Sequence, residues 1–166
     1  MIYNVISIRQ PWPWAIFNLR KDAENRSWNL PERYIGVPLL IHAGKSLDEA
    51  ACRMLERNYA CSYATLKKLP RGGIVGALIF TGCSGCIGPE SSWAEKGIRL
   101  QWWIGAAQEL PFHQCRGRLG FFAADYPHAE AQAFEEKYVF GKAAAMVGHF
   151  QSEQNYRLRQ AGAQTK

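Results

Sequence analysis

Hydrophobic and polar residues alternate along the first ten residues of the chain. Isoleucine fills positions 2, 6 and 8, which face one side of an extended chain, while Tyr3, Val5 and Ser7 face the other. A period of two with β-branched residues predicts a strand over residues 2–9. Pro11 is expected to end it, because proline cannot donate to the ladder of a central strand.

The spacing of apolar residues becomes helical directly after this proline. Trp12, Ala15, Ile16 and Leu19 recur at i, i+3, i+4 and i+7, which predicts a short helix. Prolines at its start are tolerated, because the first N–H groups of a helix have no partner within it. The polar stretch that follows, residues 20–33, is predicted to be a loop.

Four further strands are predicted, at residues 36–43, 74–80, 99–104 and 119–124. Ser46 and Glu49 form a capping box, in which each side chain accepts from the other's backbone N–H, and this predicts a helix that ends near Arg57. Residues 81–90 hold three glycines and a proline, so we expect a loop there. Pro111 and residues 116–118 are predicted to connect the last two strands.

The C-terminal part begins with a predicted helix from His128, in which Phe134 and Tyr138 lie one turn apart. Residues 151–166 form a polar tail that we expect to be frayed. Taken together, the elements predict an α+β fold. Its centre is a small, mostly antiparallel β-barrel or curled sheet of about five to six strands, flanked by helices.

Composition restricts the class of protein. The 166 residues suffice for one domain with a proper core. Hydrophobic residues make up 48% of the chain and charged residues 20%, which argues against a mainly disordered chain. No apolar run approaches the roughly 18 residues needed to span a bilayer. The first residues also lack the basic leader and apolar region of a secretory signal. We therefore expect a cytoplasmic protein with no membrane partner.

The charge balance points to an anionic partner. Lysine and arginine total 20 against 14 aspartates and glutamates, a formal charge of +6. Such an excess favours nucleic acid or a nucleotide. The chain contains no phosphate-cradling Walker loop, no serine nucleophile elbow and no H-E-x-x-H helix, and we predict no cofactor.

The odd number of cysteines, five, is expected to give reduced thiols rather than a disulfide framework. Cys83 and Cys86 form a C-x-x-C, and His113 and Cys115 follow about 30 residues later. Zinc held by these four residues is a weaker alternative, because a single C-x-x-C is common and the second pair has unusual spacing. We predict no metal.

The most informative polar segment is residues 21–28. Lys21, Glu24 and Arg26 lie within six residues of one another. Lysine holds phosphate as a point charge and arginine as a planar fork. Glu24 can orient one of these cations, accept from the amino group of a base, or move a proton. The alternative is a solvated loop with an exposed ion pair of little energetic value.

Further polar and aromatic residues are expected to face this segment. Arg9, Gln10 and Trp12 stand where the first predicted strand ends, and His42 and Lys45 stand where the second ends. Tryptophan offers a flat apolar surface, and stacking a base on such a ring contributes about 1–3 kcal/mol. Trp28 is a second stacking candidate. The alternatives are core packing for Trp12 and a structural role for His42.

Five segments, in this order, make residues 5–125 resemble the ASCH domain, a relative of the PUA fold. They are SIRQPW (7–12), KDAENR (21–26), IHAGK (41–45), PRGGIVG (70–76) and RGRLG (116–120). The signature of that family is Gly-x-Lys-x-x-Glu-x-Arg. Lys21, Glu24 and Arg26 match it, and Leu19 stands where the glycine usually does.

The resemblance implies a PUA-like barrel with flanking helices over residues 1–127, followed by a C-terminal helix and tail, 128–166. It also implies a cleft built around the Lys21-x-x-Glu24-x-Arg26 loop. Members of the family are thought to bind RNA or nucleotides. Some resemble amidohydrolases that deacylate a modified cytidine, and others resemble ribonucleases. In the short hydrolases a threonine stands at the position of Glu24.

Our main hypothesis is that the cleft binds RNA, a nucleotide or a modified nucleoside. Lys21, Arg26 and Arg9 then face phosphate, Glu24 holds Lys21 or a base, and Trp12 or Trp28 stacks on the base.

Three alternatives stay open. The first is an amidohydrolase acting on an N4-acylated cytidine, with Lys21 as base and Glu24 as proton shuttle. The second is a ribonuclease with His42 and Lys45 as acid and base. The third is a protein-interaction module in which the cleft has no ligand.

Overall fold

The computed structural model describes residues 1–84, 91–95 and 100–138. The chain divides into two units, Met1–Ala131 and Gln132–Lys166. In the second unit, residues 132–138 are helical, and the ring centroids of Phe134 and Tyr138 lie 4.7 Å apart, as expected for one helical turn. The predicted tail at residues 151–166 lies outside the described residues.

The first unit contains one six-stranded sheet. Its strands are β1 (Ile2–Gln10), β2 (Ala23–Arg26), β3 (Pro38–Leu47), β4 (Gly73–Ser84), β5 (Leu100–Gln114) and β6 (Phe121–Asp125). They lie side by side in the order β2-β5-β4-β3-β1-β6. The β1–β3 pair is parallel, and the other neighbouring pairs are antiparallel. The predicted α+β class and mostly antiparallel sheet are confirmed.

Helices connect the strands on the N-terminal side of β4. They are α1 (Trp12–Asn18), α2 (Glu49–Asn58) and α3 (Tyr63–Lys67), with a 3-10 turn at Glu32–Tyr34. The predicted capping role of Ser46 is wrong, because β3 extends to Leu47 and includes it. Asp48 is the N-cap of α2 instead, and its carboxylate accepts from the backbone N–H of Ala51 at 3.1 Å. None of the helices in the described ranges has the length and apolar character needed to cross a bilayer.

The prediction of a loop over residues 20–33 is wrong in part, because β2 lies within it and pairs antiparallel with residues 100–103 of β5. Three of the four β2 residues are polar, so the segment has no apolar alternation that could have signalled a strand. The predicted loop at residues 81–90 is wrong as far as Ser84, where β4 ends. Residues 85–90 lie outside the described residues.

Pro111 does not connect two strands, as predicted, but lies within the single long strand β5. The β4–β5 ladder is irregular at this point, between the pairs Ile74–His113 and Gly76–Glu109. On the other side of β5, the described pairing with β2 reaches only from Leu100 to Trp103. The missing N–H of proline therefore costs no ladder hydrogen bond.

The sheet curls until side chains from distant strands meet. Three strands lie between β5, which carries Trp102, and β6, which carries Phe121, yet the two rings stack with centroids 5.8 Å apart and planes 8° apart. Within this curl lies a buried apolar core to which β1, β3, β4 and β5 all contribute, including Ile6, Ile41 and Phe80.

A closed barrel is not confirmed. The two edge strands, β2 and β6, share no ladder among the described residues. β6 pairs with β1 only from Ile2 to Ile6, which leaves that side of the last four residues of β1 without a strand partner. A side chain bridges this seam: Nη2 of Arg26 on β2 donates to the backbone carbonyl of Ser7 on β1 at 2.8 Å.

Gly76 tests the close packing of the core face of β4. A Cβ atom there would lie 2.2 Å from Cζ of Phe17 and 2.6 Å from the backbone oxygen of Gln108. We expect Gly76→Ala to lower the free energy of unfolding by about 1–3 kcal/mol through overpacking, measured by urea denaturation.

Gly82 provides a matched control in the same strand, because an added Cβ meets nothing within 4 Å. Gly82→Ala should change stability by no more than about 0.5 kcal/mol. Equal effects of the two substitutions would contradict the close approach at Gly76.

Candidate functional site

A cavity of about 1160 Å³ opens at the seam between β1 and β2. We call it the cleft. Its walls come from the C-terminal half of β1, from β2, from the end of β3, and from two connecting segments, residues 92–95 and 116–119. The cleft therefore forms where the curled sheet fails to close, and side chains rather than a strand ladder occupy the gap.

Three charged side chains form the floor of the cleft, and we call them the floor cluster: Lys21, Glu24 and Arg26. Lys21 is only 3% exposed and Glu24 only 6%. The two carboxylate oxygens of Glu24 contact different cations, with Oε2 lying 3.5 Å from Nζ of Lys21 and Oε1 lying 3.0 Å from Nε of Arg26. The Nε–H of Arg26 has no hydrogen-bond partner, so the second contact is an ion pair without hydrogen-bond alignment.

The register of β2 explains how the cluster assembles. Glu24 lies opposite Trp102 of β5, and residues i and i+2 of a strand share a face, so Arg26 points to the same side. Its guanidinium carbon lies 5.5 Å from the centroid of the Trp102 ring. Lys21 precedes the strand, and its Nζ donates to the carbonyl of Ala23 and lies 5.4 Å from the ring centroid of Trp12. Both cations are thus held beside aromatic faces.

Burial sets the protonation behaviour of Lys21. Desolvation lowers the pKa of its ammonium group from the ordinary 10.5, and the nearby Glu24 carboxylate opposes this shift. With all three groups ionised, two cations face one anion, and the cluster carries a net charge of +1. A buried excess of positive charge favours an anionic or strongly electron-rich group beside it.

Further charged residues around the opening add to the positive charge of the floor cluster. Six lysines and arginines line the cleft against three carboxylates. Arg9 is held by Asp48, with Nη2 at 2.9 Å from Oδ2. Lys45, Arg116 and Arg118 are exposed, and their side chains form no ion pair with any described residue.

Aromatic rings form apolar walls next to these charges. Trp12 and Trp28 both line the cleft, and Trp28 is 38% exposed. Trp28 packs edge-on against Trp102, with centroids 4.5 Å apart and planes at 89°. Its backbone carbonyl also accepts from Nε1 of Trp102 at 3.1 Å. The ring is therefore held in place by the core while part of it stays accessible.

Trp93 is a third aromatic wall that the sequence analysis missed. It stacks on Tyr59 with centroids 5.0 Å apart and planes 9° apart. Asn25 fixes its segment, because its amide nitrogen donates to the carbonyl of Trp93 at 2.8 Å and its amide oxygen accepts from the N–H of Glu95 at 3.0 Å. Residues 91–95 have no periodic pattern, so only the tryptophan itself, in a polar context, signalled a role.

His42 lines the cleft but is almost fully buried. Because a carbonyl can only accept, Nε2 carries a proton and donates to the carbonyl of Cys115 at 3.2 Å. Nδ1 lies 3.4 Å from the hydroxyl of Ser7. Burial lowers the pKa of this imidazole. Both ring nitrogens thus face groups of the protein, so the geometry is that of a structural histidine rather than a free acid or base.

Gln10 is not brought to the cleft. Its amide nitrogen donates to the carbonyl of Pro70 at 3.2 Å, and its amide oxygen accepts from the N–H of Trp14 at 3.4 Å. The side chain is buried and joins β1 to α1 and to the turn before β4.

Three of the four residues considered for zinc, Cys83, His113 and Cys115, are described, and they do not all come together. Cys83 pairs with Trp102 near one end of the β4–β5 ladder, and His113 pairs with Ile74 near the other. Nine residues of strand separate these positions, about 30 Å along the chain. Cys86 lies outside the described residues. No group of three or more histidine, cysteine or acidic side chains in the described ranges is placed to hold a metal. Cys115 is a free thiol, and burial raises its pKa.

Comparison with known proteins adds no assignment, since no protein-family model and no curated protein matches this chain.

Glu24→Gln tests the floor cluster. The substitution keeps the shape but leaves two cations without their shared anion, and breaking a buried pair in this way costs about 3–5 kcal/mol. Losing Glu24 also removes the main factor that keeps the pKa of Lys21 from falling further. A lowered lysine pKa makes stability rise with pH up to 10.5, because the unfolded state then holds the extra proton. We expect the free energy of unfolding of Glu24→Gln to fall furthest below that of wild type at pH 7, and the difference to become smaller toward pH 10.

Urea denaturation across this pH range measures the deficit. The double variant Lys21→Met/Glu24→Gln lacks the titrating amine, so its deficit should not narrow with pH. If the loss of stability in Glu24→Gln is independent of pH, the charge of Lys21 is not the cause of that loss.

Proposed function

We propose that this chain is an ASCH-type protein with a PUA-like curled sheet, and that its cleft binds RNA, a nucleotide or a modified nucleoside. The single observation that carries the proposal is the floor cluster. It is a buried carboxylate between two cations at the base of a cavity wide enough for a nucleobase and its sugar-phosphate. Four of the five segments that resemble the ASCH family line this cavity, all except residues 70–76.

Charge supports an anionic ligand. Arg9 and Lys45 stand at the opening, where a phosphate can reach them without losing all its water. Arg26 keeps 21% of its side chain exposed although Glu24 and Ser7 hold it, so part of the side chain remains accessible from the cleft. The guanidinium of Arg26 can donate a charge-assisted hydrogen bond to a phosphate oxygen.

The aromatic walls support recognition of a base. Trp12, Trp28 and Trp93 line the same cavity as the floor cluster. Glu24 lines the same cavity, and its carboxylate can accept from an exocyclic amino group of a base stacked on one of these rings. This combination of stacking platforms and cations is what binding of single-stranded nucleic acid requires.

Salt dependence provides the test. We expect a fluorescently labelled single-stranded RNA to bind with a log Kd that rises steeply with log salt, because each phosphate contact contributes a slope of about 0.7. Lys45→Ala should weaken binding and reduce the slope by about 0.7, measured by fluorescence anisotropy at several salt concentrations.

The matched control is Lys68→Ala, which removes an exposed lysine that does not line the cleft. Its slope should equal that of wild type. Absence of RNA binding at 50 mM salt, or an equal loss in both variants, would overturn binding in the cleft.

A second candidate function is hydrolysis of an N4-acylated cytidine, and the buried position of Lys21 favours it. A neutral amine has two N–H bonds and one lone pair. Lys21 already has two acceptors, the Ala23 carbonyl and Glu24, so its lone pair is free for a proton. Lys21 then takes a proton from water as the water attacks the acyl carbonyl carbon. Glu24 passes that proton to the departing amino group as the C–N bond breaks.

Incubation with N4-acetylcytidine tests this second function. We expect release of acetate and cytidine by the wild type, loss of turnover in Lys21→Met, and wild-type turnover in the control Lys68→Met, with both products measured by chromatography. No acetate release at high protein concentration would leave binding as the function of the cleft.

A further inference from the structure

The loop between β5 and β6 forms one rim of the cleft, and we call residues 116–119 the rim loop. Its backbone is tied to the sheet from both sides. The hydroxyl of Ser7 donates to the carbonyl of Arg118 at 2.7 Å, and the amide of Ser7 donates to the carbonyl of Gly120 at 3.2 Å. His42 holds the carbonyl of Cys115. The path of the loop is therefore fixed by β1 and β3.

Close packing adds to these hydrogen bonds. A Cβ atom on Gly117 would lie 2.2 Å from Cε1 of His42, so the loop backbone rests directly on the imidazole. Gly120 has φ of +68°, a conformation that favours glycine, and it turns the chain into β6. The buried His42 thus acts as a support for the rim loop, which accounts for its position beside the cleft.

The side chains of this fixed loop are uncovered. Leu119 is 98% exposed, and Arg116 and Arg118 are exposed as well. Within the described ranges, the side chains of the two arginines form neither an ion pair nor a hydrogen bond. A single exposed leucine is ordinary on a protein surface. Here it directly follows the unpaired Arg118, on a backbone held by Ser7 and His42, at the opening of a cavity.

We propose that the rim loop engages an RNA strand next to the nucleotide held in the cleft, with Arg116 and Arg118 on backbone phosphates and Leu119 inserted between two adjacent bases. This inference rests on the proposed binding function and specifies its substrate: an oligonucleotide rather than a free nucleoside. Arginine supplies the charge for phosphate. Apolar side chains that project from a fixed element separate stacked bases in other nucleic-acid complexes.

The position of Leu119 at the opening of the cleft suits it to replace a base that has left its stack. A base can enter the cleft only after it leaves the stack of its own strand. Leu119 lines the opening and meets no covering side chain, so it can take the place of the base that has left. Because Ser7 and His42 already order the loop, little conformational entropy is lost on binding.

The experiment compares two probes, cytidine monophosphate and a ten-nucleotide single-stranded RNA that contains 2-aminopurine. Binding of both is measured for wild type, Arg116→Ala/Arg118→Ala and Leu119→Ser. We expect the double arginine variant to lower the salt slope for the oligonucleotide by about 1.4, since two phosphate contacts are lost. We expect Leu119→Ser to reduce the ratio of oligonucleotide to mononucleotide affinity about tenfold at an unchanged salt slope.

The 2-aminopurine signal reports insertion directly, because this base brightens when it is unstacked. Wild type should raise the fluorescence of the bound oligonucleotide, and Leu119→Ser should not. Lys67→Ala/Lys68→Ala is the matched control. It removes two exposed lysines that do not line the cleft and should leave slope, ratio and fluorescence unchanged. All variants alter exposed side chains and should melt at the wild-type temperature.

The outcomes separate this inference from the function on which it rests. If wild type binds both probes and the rim-loop variants match it in slope, ratio and fluorescence, the rim-loop proposal is overturned while binding in the cleft stands. If an oligonucleotide binds no more tightly than the mononucleotide, the substrate is a free nucleotide and the inference fails. If wild type binds neither probe at 50 mM salt, the proposed binding function fails with it.

Discussion

The carboxylate of Glu24, buried between Lys21 and Arg26, is the interaction on which the rest of the structure depends. Burying ions costs several kcal/mol each unless they are paired, so the three side chains stabilise one another only in this arrangement. The ladder to β5 holds the short strand β2 at the edge of the sheet, and the cluster places a positive charge at the base of the cleft. The same three charged groups thus contribute to stability and define the charge of the cleft.

The open seam of the sheet exposes the positive charge of the floor cluster to the cleft. β6 stops pairing with β1 at Ile6, and no described strand replaces it along Ser7–Gln10. Arg26 and Gly120 bind the backbone carbonyl and amide of Ser7, two groups that a closed barrel would have used in a ladder. The curled sheet leaves this seam to side chains, and the cavity of about 1160 Å³ opens there.

Much of the fold follows from local pattern, and the site follows from it less well. The apolar alternation of β1 and the nearly all-apolar run of β4 identify those strands, because their side chains face a core. The hydrophobic pattern does not identify β2, because this strand is fixed by its pairing with Trp102 and Trp103, which lie 78 and 80 residues from their partners in the chain. Lys21, Glu24 and Arg26 were predictable as a set, whereas Trp93 and the structural role of His42 depend on long-range contacts that spacing does not encode.

Ser7 is a single residue that contacts both sides of the cleft, Arg26 on one side and residues 118 and 120 on the other. Its carbonyl accepts from Arg26, its amide donates to Gly120, and its hydroxyl donates to Arg118. Any displacement of Arg26 toward a bound group therefore acts on the residue that anchors the opposite side. Energetic coupling between two positions is reciprocal. A group bound beside the floor cluster and a group bound at the rim loop must therefore alter each other's affinity by the same factor. The chain thereby contains the elements of cooperative recognition within a single cavity.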